Sequence, residues 1–171
     1  MELRDADLLL RAPTRADVRA IAAACGDPEL SRFIPGFPSP YTEADARGWV
    51  ASRNHHDSAS KTLLVVDAET DQLYGAIEIR LGETASIGYW VAAEARGRGI
   101  ATRALILLSR WALSVGGVER LELTTHPENV ASQCVAEKAG FTREGVLRSH
   151  MRFREGRRDS VIYSLLPEDL G

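Results

Sequence analysis

The sequence predicts an α/β (α+β) protein with one central twisted sheet of about seven strands, mixed but mostly antiparallel, and helices on both faces. Three observations support this fold class. Strand-like and helix-like segments follow one another in the order β-α-α-β-β-β-α-β-α-β-β. Three of the strands are consecutive and joined by short turns, which is typical of an antiparallel meander. One strand-helix-strand unit predicts a single right-handed parallel crossover.

The size and composition of the chain are those of one globular domain. It has 171 residues, of which 44% are apolar and 26% are charged, so it can bury a substantial core. No repeat, low-complexity tract or linker divides it. We therefore expect a single domain over residues 1–171, with its core at about 8–166.

The first half of the chain predicts one strand, two helices and a loop between them. The strand is "DLLLRAPT", and the first helix, "RADVRAIAAACGD", spaces its apolar residues helically and ends at Gly26. The loop "SRFIPGFPSPY" has three prolines in six residues, so we expect it to be rigid, with exposed aromatic side chains. The second helix is predicted to begin after Thr42 as its N-cap, with Asp45 at the third helical position.

The second half begins with the meander strands "KTLLVVDAE", "LYGAIEIRL" and "ASIGYWVA". A long helix from Gly99 to about Val115 follows and is ended by two glycines. Its apolar face is predicted to contain Ile100, Ala104, Leu107, Leu108, Trp111 and Val115. The last elements are the strand "VERLELTTH", the short helix "NVASQCVAEKAG", and a hairpin of "REGVLRSHMRF" and "RDSVIYSLL" with a solvated, charge-rich turn.

Charge and cysteine content argue against several classes of function. The net charge is −3, whereas proteins that bind nucleic acid are usually basic. Cys25 and Cys134 match no metal-ligand spacing and suit a reducing cytoplasm, and Cys134 is expected to pack in the core. The adjacent histidines of "NHHD" at 54–57 point to different sides, so no metal is expected there. No signal peptide or membrane-spanning stretch is predicted.

One short stretch predicts an anion site. "EARGRGIATRAL" at 94–105 lies between a predicted strand and the start of the long helix. The first amides of a helix lack internal acceptors, and the helix dipole is positive there. Gly97 and Gly99 would let an anion approach the backbone closely, and Arg96, Arg98 and Arg103 could add charge-assisted contacts. We expect a pyrophosphate to bind here.

Two familiar phosphate motifs fit this stretch poorly. A P-loop requires a Gly-Lys pair, which the sequence lacks. A dinucleotide fingerprint requires a third glycine, and Thr102 stands in its place. The stretch also lies past the midpoint of the chain, with one crossover around it, which makes a nicotinamide-binding Rossmann fold a weak alternative.

A third motif fits better. "RGRGIA" has the pattern R-x-x-G-x-A and resembles the acyl-CoA pyrophosphate loop of the GNAT N-acetyltransferase superfamily, whose element order is also similar. "N-x-x-S" at Asn129 and Ser132, followed by "EKAGF" at 137–141, resembles the second motif of that family. The C-terminal "EGVLRSHMRFREGRRDSVIYSLL" resembles the RimJ/RimL-like branch, the ribosomal-protein N-terminal acetyltransferases. The resemblance covers about Leu8 to Leu166.

The resemblance implies acetyl transfer from acetyl-CoA directly to a primary amine, with no metal. An α-amino group has a pKa of about 7.7–8.0 and a lysine about 10.4, so an α-amine needs less help from a base. The N-terminal α-amine of a protein or peptide is therefore the favoured acceptor. Acetylation of a small molecule, such as an aminoglycoside, polyamine or amino acid, and a CoA-binding sensor without catalysis are alternatives. The resemblance also allows the protein to form a homodimer.

The resemblance implies a cofactor site on the strand before the loop, on the loop itself and on the second motif. The backbone near Tyr89 would supply an N–H group to the oxyanion. Asn129 would bond the pantetheine arm. The implied cofactor-binding residues are Trp90, Val91, Ala92, Arg96, Gly97, Arg98, Gly99, Ile100, Ala101, Thr102, Asn129 and Ser132.

One catalytic group of many relatives is missing. The tyrosine that usually follows the motif asparagine by seven residues is replaced by Ala136. Ser132 is the substitute candidate for protonating the thiolate. Glu78 is the candidate base, with a cleft-facing and a solvated orientation equally favoured, and Glu122 has the same ambiguity. His126 is more simply explained as a loop histidine bonded to backbone.

The acceptor pocket is expected between the first two helices and the last hairpin. Tyr89 and Trp90 alternate along their strand, so one should face the acceptor cleft and the other the core. An aromatic, proline-braced loop suits a peptide N-terminus or a hydrophobic amine, and a lid or plain packing is an equal alternative for it. The implied acceptor-binding residues are Phe33, Ile34, Phe37 and Tyr41.

Overall fold

The computed structural model describes residues 1–53, 59–82 and 84–170, which leaves the "NHHD" histidines outside the described residues. The strands are β1 (Leu3–Asp5), β2 (Leu8–Arg11), β3 (Ser60–Asp67), β4 (Leu73–Arg80), β5 (Ala85–Val91), β6 (Leu121–Thr125), β7 (Thr142–Phe153) and β8 (Gly156–Leu165). The α-helices are α1 (Val18–Cys25), α2 (Pro28–Phe33), α3 (Glu43–Arg53), α4 (Ile100–Ser114) and α5 (Val130–Lys138). Within these ranges, two short 3-10 turns join β2 to α1 and β5 to α4, and a third follows β8.

One sheet contains these strands in the order β1-β2-β3-β4-β5-β6-β8-β7. Every pairing is antiparallel except that of β5 with β6, which α4 connects. The predicted mixed, mostly antiparallel sheet with one crossover is confirmed. The additional strand is β1, which forms a hairpin with β2 through a turn at Ala6, whose φ is 50°. The predicted first strand corresponds to β2 alone, and β1 was missed because it has only three residues.

The helix boundaries follow local capping chemistry. Thr42 and Asp45 form the predicted reciprocal cap of α3: the Asp45 amide donates to Thr42 Oγ1 at 3.2 Å and the Thr42 amide to Asp45 Oδ2 at 2.8 Å. The helix α2 was not predicted and includes the first residues of the proline-rich segment. Asp27 caps it by accepting from the Glu29 amide at 3.0 Å, and Pro28 fits its first position, where no N–H is needed.

The two faces of the sheet carry separate apolar clusters. The larger one packs α4 and α5 on one face, around Leu105, Leu108 and Tyr163. The smaller one packs α1, α2 and α3 on the other face, around Ile21 and Leu64. Each cluster draws on alternate residues of β3 and β4, as a sheet buried on both faces requires. Helices therefore lie on both faces, as predicted.

Two predicted core positions are wrong. Val115 is 76% exposed, because α4 ends at Ser114 and the chain turns away at the following glycines. Cys134 is exposed, because α5 directs Ala136 into the core and a residue two positions earlier on a helix points elsewhere. Trp111 lies on the predicted face and packs half-buried against the larger cluster.

Replacing Gly75 with alanine should destabilise the protein by about 3 kcal/mol or more, because of close packing between β4 and β5. A Cβ at Gly75 would lie 2.1 Å from the Trp90 carbonyl oxygen, which is backbone and cannot rotate away. Gly48 provides a matched control: it is exposed within α3, a Cβ there meets nothing within 4 Å, and alanine should stabilise by about 0.5–1 kcal/mol. Urea unfolding of both variants measures the two effects. Equal stability of the two variants would contradict the packing described.

Candidate functional site

The sheet opens between its two parallel strands. Pairing of β5 with β6 is limited to Ala85 with Leu121 and Ser86 with Glu122. Beyond that point β5 stays paired with β4 as far as Val91, and β6 stays paired with β8. Among the described residues, no strand pairs with β5 on its β6 side after Ser86. This gap connects the two faces of the sheet and leaves backbone N–H and C=O groups of β5 available to a ligand.

A cleft of about 850 Å³ surrounds the gap. It lies between the helices α1 to α3, the sheet, the N-terminus of α5 and the β7–β8 hairpin. Apolar and aromatic side chains line its outer wall, and polar side chains rise from the strands that form its floor. Clefts with this mixture of walls and of this volume are typical of small-molecule or peptide-chain sites.

The floor of the cleft is polar because the helices do not cover that end of the sheet. Strand register places Thr62 opposite Glu78, and Glu78 opposite Gly88, in one row across β3, β4 and β5. Glu122 and Thr124 continue the polar surface on β6. Where α1 to α3 cover the same face, the corresponding residues are apolar. On this face of the sheet, apolar side chains therefore lie under the helices, and polar side chains lie where the helices leave the sheet uncovered beside the gap.

Glu78 faces the cleft, which decides between the two orientations left open by the sequence. Its side chain is 18% exposed and accepts from Arg80 Nε at 3.0 Å and from Arg53 Nη2 at 3.4 Å. The two guanidinium groups balance its charge. Glu122 also lines the cleft, but Arg120 binds it at 2.9 Å.

A pair of hydroxyl groups lies at the gap. The oxygen atoms of Tyr89 and Ser132 are 2.9 Å apart, and Tyr89 also approaches the Ser132 carbonyl at 3.4 Å. Burial raises the pKa of Tyr89 to about 12, so its hydroxyl keeps its proton at neutral pH. A phenol is a better donor than an aliphatic alcohol, so the short bond is best assigned with Tyr89 donating to Ser132 Oγ. The proton of Ser132 is then free for a ligand.

The start of α5 holds Ser132 in place. The side-chain oxygen of Asn129 caps this helix by accepting from the Ser132 amide at 3.1 Å. This leaves the side-chain nitrogen of Asn129, Nδ2, for a ligand. Ala136, seven residues after Asn129, is 0% exposed in the core. The sequence analysis listed Tyr89 for its backbone but had no signal that its hydroxyl would meet Ser132, because the two residues are 43 positions apart.

The glycine-arginine stretch forms an anion cradle made of backbone. Gly97 and Gly99 both have φ of 72°, a left-handed conformation that favours glycine. Among the described residues, none accepts a hydrogen bond from the N–H groups of residues 97 to 102, and Gly99 is the N-cap of α4. Six consecutive free donors at a helix N-terminus fit a pyrophosphate.

The nearby arginines are engaged by the protein itself. Arg96 donates to the Val91 carbonyl at 3.1 Å and pairs with Asp27 at 2.6 Å. Arg98 lies over the Tyr74 ring, 4.8 Å from its centroid. Arg103 is held by Asp5 and Asp7 at 3.2 and 2.8 Å, against the turn between β1 and β2. In this structure the arginines brace the loop, and the free donors are those of the backbone.

The predicted acceptor residues line the outer wall of the cleft. Phe37 stacks on Tyr41 at a ring separation of 5.1 Å, and Phe33 and Ile34 complete this wall. Trp90 packs against the smaller cluster, on the face of the sheet that carries the cleft. Tyr89, the preceding residue of the strand, packs against the larger cluster on the opposite face. Residues that the sequence analysis did not select also line the cleft, namely Trp49, Arg53, Thr62, Leu147, His150 and Met151.

His126 has the structural role that the sequence favoured. It is 7% exposed, and its Nδ1 accepts from the Glu128 amide at 3.1 Å. Its ring contacts Phe33 and Phe153 at centroid distances of 5.7 and 6.0 Å. These contacts fix the aromatic wall beside the gap.

Two classes of feature are absent from the residues that the structure describes. No group of three or more His, Cys, Asp or Glu side chains in those ranges is arranged to hold a metal ion. No helix within the described ranges is long and apolar enough to span a bilayer.

Comparison with known proteins identifies related chains. The family model described as "Acetyltransferase (GNAT) domain" matches residues 7–142. A probable N-acetyltransferase of Bacillus subtilis, YjcK, is 32% identical over 110 residues, or 61% of each chain. The ribosomal-protein-serine acetyltransferase of Escherichia coli K12 is 31% identical over 98 residues, or 55% of each chain. These matches span only about half to three-fifths of the length of either relative.

A solved structure matches over the whole chain. RimL, described as a ribosomal L7/L12 α-N-protein acetyltransferase in complex with coenzyme A, superimposes with a TM-score of 0.87. The superposition covers 100% of both chains at 21% sequence identity, which establishes the shared fold.

Proposed function

The chain belongs to the GNAT acetyltransferase family, and from that premise we propose that it transfers the acetyl group of acetyl-CoA directly to an α-amine at the N-terminus of a protein or peptide. The observation that carries the proposal is the opening of the sheet after Ser86, which joins an anion cradle to a polar cleft. The RimL structure with coenzyme A and the Escherichia coli relative support this cofactor and this acceptor class.

The cradle and the gap together fit an extended CoA molecule. The pyrophosphate would bind the free N–H groups of residues 97 to 102. The pantetheine arm would follow the unpaired edge of β5 at Trp90 and Val91 and the adjoining Ala92, with the side-chain Nδ2 of Asn129 beside it. The thioester would then reach the hydroxyl groups of Tyr89 and Ser132 at the gap.

The reaction needs a neutral amine, a stabilised oxyanion and a protonated leaving group. The amine would attack the thioester carbonyl carbon and form the new C–N bond, and its surplus proton would leave toward Glu78, which lies across the strand pair from Gly88. The C–S bond would then break as the oxyanion collapses. The β5 backbone would donate to the oxyanion. Ser132 would donate its proton to the departing thiolate, with Tyr89 holding its oxygen. No acyl-enzyme is required.

Acetyl-CoA and CoA should each raise the melting temperature of the purified protein, whereas NAD, NADP and ATP should not. A ligand that binds only the folded state stabilises it by about 2.7 kcal/mol at a hundredfold excess over its Kd. With acetyl-CoA bound, peptides with a free N-terminus should release CoA thiol, and the same peptides acetylated at the N-terminus should not. The measurement is thiol release with a chromogenic disulfide.

Each failure of this experiment has a distinct meaning. A shift with NAD alone would overturn the cofactor. A shift with acetyl-CoA but turnover only of aminoglycosides or polyamines would replace the peptide acceptor with a small molecule. Binding without any amine-dependent thiol release would indicate a CoA sensor.

A cytoplasmic location and a homodimer remain predictions.

A further inference from the structure

The acceptor cleft contains two buried polar atoms without a partner. Among the described residues, Arg53 Nε and Thr62 Oγ1 are inaccessible to solvent and make no hydrogen bond, although both side chains line the cleft. A buried polar group left unpaired costs about 1–3 kcal/mol. A ligand in the cleft that brings oxygen atoms would satisfy both of them, so this pair points to an acceptor of that kind.

The two atoms flank Glu78 in the row that leads to the gap. Thr62 is opposite Glu78 on the neighbouring strand, and Arg53 Nη2 binds the Glu78 carboxylate at 3.4 Å. Gly88 is opposite Glu78 on the other side. Adjacent strands lie about 4.8 Å apart, so Thr62 is roughly 10 Å from the edge where the sheet opens. An extended chain covers that distance in about three residues.

We propose that Arg53 and Thr62 form a subsite for the first two peptide units of the acceptor. With the amine at the gap, Arg53 Nε–H donates to the carbonyl of the first residue and the Thr62 hydroxyl bonds the next peptide unit. This inference rests on the proposed function and names the feature of the acceptor that is recognised: a carbonyl oxygen next to the amine. A polyamine offers only donors here and would add positive charge beside Arg53 and Arg80.

Binding to the CoA-loaded protein tests the subsite without relying on turnover. Phenylalanine amide differs from 2-phenylethylamine by the carboxamide group on the carbon next to the amine, and we expect the amide to bind about tenfold more tightly. Arg53→Lys removes Nε–H while keeping the charge and should erase that difference. Arg47→Lys, an exposed arginine on the same helix, is the control and should leave it unchanged.

The role of Thr62 is tested by comparing acceptor probes of two lengths. Thr62→Val should weaken phenylalanyl-alanine amide about threefold to tenfold and leave phenylalanine amide unaffected, because only the longer probe has a second peptide unit. Thr142→Val, at an exposed position on β7 away from the cleft, is the matched control. Free phenylalanine is included because a carboxylate could also accept from Arg53; tighter binding of the free acid than of the amide would overturn the peptide assignment.

Several outcomes would overturn the subsite. Equal affinity for phenylalanine amide and 2-phenylethylamine would mean that water satisfies the two atoms. Spermidine as the tightest ligand would mean that the cleft selects positive charge and not a carbonyl group. An equal loss for all probes in Arg53→Lys would mean that Arg53 shapes the cleft without recognising the carbonyl. The measurements are repeated without CoA, so that the subsite is tested even if CoA does not bind. Discrimination for the carbonyl without acetyl transfer would uphold the subsite and overturn the proposed function.

Discussion

Replacing Gly99 with glutamate is expected to weaken acetyl-CoA binding by about 100-fold or more, equivalent to at least about 2.7 kcal/mol. The glutamate would place a carboxylate among the free N–H groups of residues 97 to 102, where the pyrophosphate is proposed to bind. It would also force a side chain onto a φ of 72°. Isothermal titration with acetyl-CoA measures the loss.

Gly99→Ala separates the effect of the introduced negative charge from the effect of a side chain at this left-handed backbone position. A Cβ at Gly99 meets nothing within 4 Å, so alanine adds only the cost of a left-handed backbone, about 1 kcal/mol, and should retain much of the CoA affinity. Both variants should stay folded by circular dichroism. Undiminished CoA binding in Gly99→Glu would mean that the pyrophosphate binds elsewhere.

Removing the Ser132 hydroxyl should lower kcat by about 10²–10³-fold while leaving the Kd for acetyl-CoA within about threefold. The reason is that Ser132 is proposed to protonate the thiolate and the core residue Ala136 offers no substitute acid. An activated aryl thioester, whose leaving group needs no proton, should recover most of the lost rate. Steady-state rates with both thioesters measure the effect.

Tyr89→Phe tests whether Tyr89 acts through Ser132. Loss of the 2.9 Å contact should cost about tenfold in kcat, and the double variant should be no slower than Ser132→Ala alone, since two residues that act as a unit are not additive. Ser114→Ala, an exposed serine at the end of α4, is the control. Additive losses would show that the two hydroxyl groups work independently.

The sequence predicted the sheet and the glycine-arginine loop at the start of α4 because both depend on local pattern. Apolar alternation marked the meander, and glycine with arginine before an apolar helix marked the loop. The short strand β1 and the short helix α2 escaped because they have three and six residues, too few for a periodicity to be read. Val115 was misplaced because periodicity does not reveal where a helix ends.

The interior of the cleft could be predicted only in part. The orientation of Glu78 depended on which end of the sheet the helices leave uncovered, a tertiary property. The contact between Tyr89 and Ser132 joins residues from a strand and a distant helix, and neither local sequence indicates it. Arg53 gave no signal either, because an arginine at the end of a helix is usually solvated, whereas here its Nε is buried.

The opening in the sheet divides the molecule into two halves that can change independently. One face carries the anion cradle, α4 and α5, and the other carries α1 to α3 and the proline-rich loop. The two faces connect at the gap beyond Ser86, and the ion pair of Arg96 with Asp27 links the loop before α4 to the start of α2. Substitutions that reshape the outer wall at Phe33 or Phe37 leave the cradle untouched. Selection can therefore retarget such an enzyme to new amines by altering one side of a sheet, while the chemistry is inherited unchanged on the other.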